Sequence, residues 1–330
     1  MFIGNFLSHI SGTKGISEKI LESFSGNEID LRKASDKRNK LIRFSEIILK
    51  SLLIDYNTIH LDTFSGQAFR IAEVASLIGK WRKKKIILTL RGGKLPEFFQ
   101  EAPQRLKRVF TRADYIQTPS LYLKDFFAKQ DIYVNYLPNS IDLSRFPYSR
   151  ESVKSHSLLW VRAFTEIYNP DLPVRILHEI KKIYLDATLT MIGPDKGLLS
   201  ETRKLISKFE LNSSVTITGP VPNEWLYNYY QSNEVFLNTT SYESFGVAVL
   251  EAAACGIPVV SSKVGEIPYL WKHEEDILMA EKIEAEDFCQ AIQQLFASKE
   301  LAEKVSLNAR KKAEEYDWAK IKAKWVDLLT

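Results

Sequence analysis

The sequence predicts an α/β protein built on parallel sheets, and three observations carry the prediction. From Ser157 onward, short aliphatic and β-branched runs alternate with stretches of helical periodicity, the pattern of strands joined by crossover helices. Each run closes on Gly, Pro or a small polar residue, as a strand does where it hands over to a loop. With 330 residues, 45% hydrophobic and 26% charged, the chain is long enough for two globular domains that each bury a core.

In the N-terminal half the alternation is less regular. "TIHLD" (Thr58 to Asp62), "KIILTLRGG" (Lys85 to Gly93), "YIQTP" and "YVNYLPN" read as strands separated by helix-like stretches. "PNSIDLSRFPYSRESVKSHS" (Pro138 to Ser157) is polar, carries two prolines and reads as a linker, with the domain boundary expected near Ser149. Beyond it, "SLLWV" (Ser157 to Val161) is a strand and "PVRILHEIKKIY" a helix. "ATLTMIG" (Ala187 to Gly193) is the next strand, followed by a helix through "LLSETRKLISKF". "SVTITG" is a third strand, "NEWLYNYY" a short helix and "EVFLNT" a fourth strand. "FGVAVLEAAAC" forms a helix and "IPVVSS" a fifth strand. Arg162, Gly193, Gly219 and Glu243 all follow strands, and in parallel sheets the loops at the carboxyl ends of strands build the ligand site.

Composition narrows the classes. No apolar run reaches the roughly 18 residues of a membrane span, because Glu251 interrupts the longest candidate. "MFIGNFLSHISGTKG" lacks the basic and apolar regions of a signal peptide, so a cytoplasmic protein is expected. Cys255 and Cys289 are the only cysteines, and His9, His60, His156, His178 and His273 are scattered, so neither a metal site nor a bound cofactor is expected. Residues 1–148 hold 24 Lys and Arg against 15 Asp and Glu, a balance of +9, within a whole-chain balance of +4. Leu31 to Lys50 and "KWRKKK" (Lys80 to Lys85) carry much of this excess. They form either a solvated face or a surface drawn to an anionic partner, such as the inner membrane leaflet or a phosphate-bearing acceptor. No nucleic-acid module accompanies the charge, and a nucleic-acid partner is not expected.

"SYESFGVAVLEAAACGIPVVSS" (Ser241 to Ser262) places Glu243 in a loop and Glu251 in the helix that follows. Residues eight apart on a helix differ by about 80° around the axis, so the two carboxylates act at different depths along a ligand. Ser244 is a candidate N-cap, with the amides after it open to a phosphate. Glu251, between Ala and Leu on an apolar helix, either accepts hydrogen bonds from a sugar diol, or snorkels to solvent or caps a neighbouring group.

"ESFGVAVLEAAACGIPVVSSKVG" resembles the signature of retaining nucleotide-sugar glycosyltransferases of the GT-B architecture, family 4: a Glu, seven residues, a second Glu, a small-residue helix end, then Gly-x-Pro-Val. The resemblance extends through "WVRAFTEIYNPDL", "TMIGPDKG", "ITGPVPNEWLYNYYQSNEVFLNTT" and "YLPNSIDLSRF", from about Tyr136 to Leu278. It implies two Rossmann-like domains facing a cleft: residues 1–148 on the acceptor side and 149–315 on the nucleotide-sugar side. Residues 316–330 would form a final helix crossing back toward the first domain. By resemblance, Glu251 accepts the ribose hydroxyls and Glu243 contacts the donor sugar. Ser244, Phe245 and Gly246 present amides to the diphosphate, Arg162 neutralises the leaving phosphate, and Val221 lies against the base. Gly193, at the end of the strand "ATLTMIG", is expected among the residues that bind the nucleotide sugar, and Gly12, with Gly15, stands where the family has a flexible loop beside the donor phosphate. The donor is a nucleotide-diphosphate sugar, UDP-sugar above others, and the acceptor a glycan or lipid-linked glycan.

The chain departs from the pattern at three places. Where relatives carry a Lys and then Gly after Arg162, it has Tyr168, Asn169 and Pro170. Arg91 replaces a His near the reacting sugar; it either restores the lost charge at the diphosphate or is a salt-bridged loop residue. Glu266 replaces the second Gly of a Gly-Gly pair. An active retaining transferase is the leading expectation, and a catalytically idle module that binds a nucleotide sugar or a partner enzyme is the alternative. A dinucleotide dehydrogenase lacks its glycine fingerprint.

Overall fold

The computed structural model describes residues 1–7, 15–24 and 29–329. Gly12 and His9 lie outside the described residues. The chain forms two compact units, Met1–Asn139 with Ile321–Thr330, and Ser140–Lys320.

The first unit runs β1 (Phe2–Ile3), α1 (Ile16–Ser23), α2 (Lys40–Leu53), β2 (Thr58–Thr63), α3 (Phe69–Trp81), β3 (Lys85–Leu90), α4 (Leu95–Glu101), α5 (Pro103–Phe110), β4 (Tyr115–Thr118), α6 (Leu121–Ala128) and β5 (Asn135–Tyr136). Its strands are all parallel, in the order β1-β2-β3-β4-β5. Side chains alternate across such a sheet. Ile59, Leu61, Ile86, Leu88 and Leu90 enter one core with α3. His60, Asp62 and Thr89 occupy the alternate positions of β2 and β3. Asn39 starts α2 because its Oδ1 accepts from the amides of Leu41 and Ile42, two donors the helix itself leaves unpaired.

The second unit runs β6 (Ser157–Val161), α7 (Asp171–Ile180), β7 (Thr188–Ile192), α8 (Leu199–Lys208), β8 (Val215–Gly219), α9 (Leu226–Ser232), β9 (Val235–Asn238), α10 (Val247–Cys255), β10 (Val259–Ser262), α11 (Ile267–Leu270), β11 (Leu278–Ala280), α12 (Ala285–Ala297) and α13 (Lys299–Glu314). The final helix α14 (Trp318–Leu329) contributes its length from Ile321 to the first unit, where Trp325 packs against Phe2 and the edge of the His60 ring. The second sheet is parallel, in the order β11-β10-β9-β6-β7-β8. Both of its faces are covered: Leu159 enters a core with α10, while Leu158 and Trp160 enter another with α7 and α12. That double burial is why its strands read as continuous apolar runs. The architecture is α/β, two units of parallel strands flanked by helices, as the GT-B resemblance implies.

Three expectations change. The units divide at Asn139/Ser140, ahead of the position read near Ser149, because Ile141 and Phe146 of the linker-like stretch are buried in the core of the second unit. The short helix read as "NEWLYNYY" begins only at Leu226, after a turn in which the Trp225 amide donates to the Pro222 carbonyl. Strands β1 and β11, two and three residues long, were not anticipated; at that length alternation leaves no readable period.

Two measurements test this packing. Phe146→Ala is expected to cost about 3–5 kcal/mol in urea unfolding, as for a core aromatic; a solvated linker residue would cost a few tenths. His60, stacked on Phe2 at 4.0 Å with Nε2 2.7 Å from Thr89 Oγ1, has its pKa pushed by burial from 6.5 down to about 3. Its folded pKa lies below its unfolded value, so the unfolded chain takes up the proton first as pH falls. Stability is then complete above the unfolded pKa and declines between about pH 6.5 and pH 3, at about 1.4 kcal/mol per pH unit for one proton. His60→Gln, followed by urea unfolding across that range, is expected to flatten the acid limb.

Candidate active site

Strand order places the site. The chain leaves β6 for β7 on one side and returns as β9 on the other, so the carboxyl ends of β6 and β9 flank the topological switch point, where open α/β sheets bind ligands. Arg162 is the first residue after β6 and Asn238 the last of β9.

The Arg162 guanidinium bridges these two ends. Nε and Nη2 donate to Asn238 Oδ1 at 3.2 and 2.8 Å, and Nη2 also donates to Glu243 Oε2 at 2.5 Å. Asn238 Nδ2 donates in turn to Ser261 Oγ at 2.9 Å, tying the pair to β10. The Arg162 and Glu243 side chains keep only 11% and 10% of their exposure. Burial draws the Arg162 pKa down, but Glu243 and the more distant Tyr168, Tyr230 and Glu251 outweigh it, and the pKa stands above its ordinary value. No hydrogen bond from Arg162 Nη1 is present among the described residues.

Two glycines make the pair possible. A Cβ on Gly193 would lie 1.9 Å from the Arg162 carbonyl oxygen, and one on Gly265 would lie 2.1 Å from that of Glu243. Neither approach tolerates a side chain. The Glu266 amide, next along, donates to the Glu243 carbonyl at 2.9 Å, and Glu266 is itself fully buried.

Tyr168 stands where a second cation was missed, and its ring lies under the Arg162 guanidinium at 5.0 Å. This cation–π contact also orients Arg162. Ser244 does not cap the helix. The N-cap of α10 is Gly246, which has no side chain to offer, and the Phe245 amide turns back to Glu243 Oε1 at 3.5 Å. Phe245 itself is buried, edge-on to Tyr316 at 5.8 Å.

Glu251 sits in the second turn of α10, buried, and accepts a hydrogen bond from Tyr230 at 3.3 Å; it does not snorkel to solvent, and it does cap a neighbouring group. Burial first, and the Glu251 charge second, raise the Tyr230 pKa well above its ordinary value and that of Cys255 to about 12. Val221 is half-buried against the apolar cluster that includes Phe245 and Ala248.

Arg91 belongs to the first unit. Its Nε donates to Asp62 Oδ1 at 2.5 Å and its Nη1 to Asn139 Oδ1 at 2.8 Å; Ser17 donates to the other Asp62 oxygen. Nη2 is buried without a hydrogen-bond partner among the described residues. The arrangement repeats that of Arg162: an arginine after a strand, a carboxylate and an Asn carbonyl oxygen. Asp62, Asn139 and Asn238 were not singled out in the sequence. A polar residue closing a buried strand, as in "TIHLD" and "EVFLN", was the available signal.

Among the described residues no group of three or more His, Cys, Asp and Glu is placed to hold a metal ion, and no helix is long and apolar enough to cross a membrane.

The ion pair makes a testable demand on stability. Glu243→Ala leaves Arg162 charged and buried beside Asn238 alone, and is expected to cost about 3–5 kcal/mol. Adding Arg162→Met, which removes the stranded charge, is expected to recover most of that loss in the same denaturant titration.

Comparison with known proteins follows these loops. Residues 146–312 match the family described as Glycosyl transferases group 1. The chain is 28% identical over 161 residues to a phosphatidylinositol N-acetylglucosaminyltransferase subunit of Arabidopsis thaliana, covering 48% of this chain and 35% of that one. It is 31% identical over 140 residues to the Homo sapiens protein of the same name, covering 41% and 28%. It thus spans about a third of the length of the curated relatives it matches. A sucrose-phosphate synthase from Thermosynechococcus elongatus superposes with TM-score 0.78 at 18% identity, covering 99% of this chain and 97% of that one. Anabaena HepE in complex with UDP-glucose gives 0.76 at 14%, covering 99% and 98%. The family match takes in the strands, the two glycines and the loops that bring Arg162 to Glu243, and this chain belongs to the glycosyl transferases group 1 family.

Proposed function

We propose that this protein transfers a sugar from a nucleotide-diphosphate sugar, UDP-sugar in the first place, to a glycan or lipid-linked acceptor, with retention of anomeric configuration. The observation that carries the reading is the Arg162–Glu243 pair at the switch point, beside a helix start that no side chain caps. HepE, crystallised with UDP-glucose, supports the donor class, and relatives named for phosphatidylinositol support a lipid-borne acceptor. Peripheral contact with an anionic membrane, at its cytosolic face, is part of the same reading and is favoured by the basic balance of residues 1–148.

In this reading the ribose hydroxyls donate to Glu251, and the diphosphate meets Arg162 Nη1 and the amides that open α10. When the anomeric C–O bond breaks, its electron pair passes to the β-phosphate oxygen. Fixed donors aimed at that oxygen lower the barrier without reorganising. Glu243, already orienting Arg162, accepts a hydroxyl of the donor sugar through its remaining lone pairs. Val221 flanks the base. Retention rests on the family resemblance.

Arg91 takes a different part from the one its charge suggests. Asp62 holds Nε and Asn139 holds Nη1, so Nη2 is the Arg91 nitrogen left without a hydrogen-bond partner among the described residues. Its buried Nη2 instead supplies one directed donor to a ligand oxygen. Tyr168 favours a second reading, binding without turnover, because only one cation then faces the diphosphate.

Incubation with UDP-sugars separates the two readings: release of UDP supports transfer, and saturable binding with no UDP release supports the idle module. Glu251→Gln keeps an acceptor for Tyr230 while removing the charge. It is expected to weaken UDP binding about tenfold by calorimetry, a loss of about 1.4 kcal/mol. Arg91→Lys keeps the charge beside Asp62 but loses the fork. It is expected to lower kcat/KM for transfer by about ten- to a hundredfold, with UDP affinity unchanged.

A further inference from the structure

Helix α2 is apolar on the side that faces water. Leu41 and Leu53 keep 78% and 77% of their exposure, and Ile42, Leu49 and Leu52 are exposed between them. At about 100° per residue these five and Ser45 share one stripe roughly 120° wide. The opposite side supplies Ile47 and Ser51 to the interior, so core burial does not account for the exposed stripe. Helix α3 packs alongside. Its C-terminal end is tied to that of α2 by Arg82 Nη1, which donates to the carbonyls of Ser51 and Ile54 at 2.8 and 2.7 Å. Leu77 and Trp81, one turn apart on α3, extend the exposed apolar surface, with Trp81 75% exposed.

Around this surface, the charges that make no ion pair among the described residues are of one sign. Asp36 is paired with Lys33, Glu46 with Lys50 and Asp55 with Lys84. Arg82 and Lys85 are held by backbone carbonyls. Arg38, Lys40 and Arg43 at the start of α2, and Lys80 and Lys83 beside Trp81, make no ion pair among the described residues.

We propose that the joined faces of α2 and α3 form the surface by which this protein lies on an anionic lipid membrane. The leucines and Trp81 enter the boundary between headgroups and acyl chains, and the unpaired cations meet lipid phosphates and carboxylates at its two ends. A helix with leucines on one side and basic flanks is the pattern of interfacial binding, and each cation near an anionic surface adds to it. Trp81 suits the boundary because its ring is apolar and its Nε1–H is a donor. The inference rests on the membrane contact proposed above and names the surface that makes it; it is independent of the transfer chemistry.

The test is sedimentation of the full chain with phosphatidylcholine vesicles, with and without phosphatidylserine, at low and high salt. Binding is expected only with phosphatidylserine and is expected to fall as salt rises. Leu49→Asp with Leu53→Asp, and separately Lys40→Glu with Lys80→Glu, are expected to reduce bound protein tenfold or more. Leu185→Asp, at a position equally exposed in the second unit, is expected to leave it unchanged. Circular dichroism and UDP affinity on the same samples report folding and the state of the second unit. Equal binding to both vesicle types, or full binding by either double variant, overturns the proposal. So does a stable dimer, seen by sedimentation velocity without vesicle binding and abolished by Leu49→Asp with Leu53→Asp; the stripe would then belong to a second copy of this chain.

Discussion

Arg162 and Glu243 are two charges withdrawn from water, at a cost of several kcal/mol per ion that mutual attraction repays only when geometry is exact and the remaining hydrogen-bonding positions are filled. Much of the second unit supplies that exactness. Asn238 fixes two guanidinium nitrogens, Tyr168 supports its face, and Ser261 holds Asn238. Gly193 and Gly265 let backbone approach where a methyl group would collide. The order of the sheet then does the rest: only because β6 and β9 are neighbours do residues so far apart in sequence meet.

The first unit applies the same physics to a different end. Asp62, Arg91 and Asn139 reproduce the carboxylate, arginine and amide set at the carboxyl ends of its strands, with one guanidinium nitrogen buried and without a hydrogen-bond partner among the described residues. In both units a carboxylate fixes where the arginine points.

Charge on the first unit divides in the same way between structure and surface. Of "KWRKKK", Arg82, Lys84 and Lys85 are absorbed by carbonyls, a carboxylate and the Tyr56 ring, while Lys80 and Lys83 are left beside an exposed tryptophan. A basic balance counted from composition therefore overstates the surface field, and the uncommitted cations locate it. The exposed leucines of α2 add what charge counting misses, an apolar stripe outside the core.

The sequence by itself determined the second unit almost strand by strand, because strands buried on both faces must be apolar throughout and their loops must carry the breakers. It also singled out Glu243, Glu251 and Arg162 as candidates, since their spacing lies within one motif or directly after a strand. It did not determine the linker, since a polar stretch with two prolines conceals Ile141 and Phe146, and burial of single residues has no period. Nor did it determine the cap of α10: Ser244 has the right chemistry, but the helix starts at Gly246, whose φ of 89° suits a glycine. Only the tertiary structure decided that Arg162 and Glu243 pair, that Tyr168 lies under the guanidinium, and that Arg91 is neutralised by Asp62. Each joins residues separated by a crossover or a long loop, and such contacts are set by which strands and loops become neighbours, a property that no local pattern encodes.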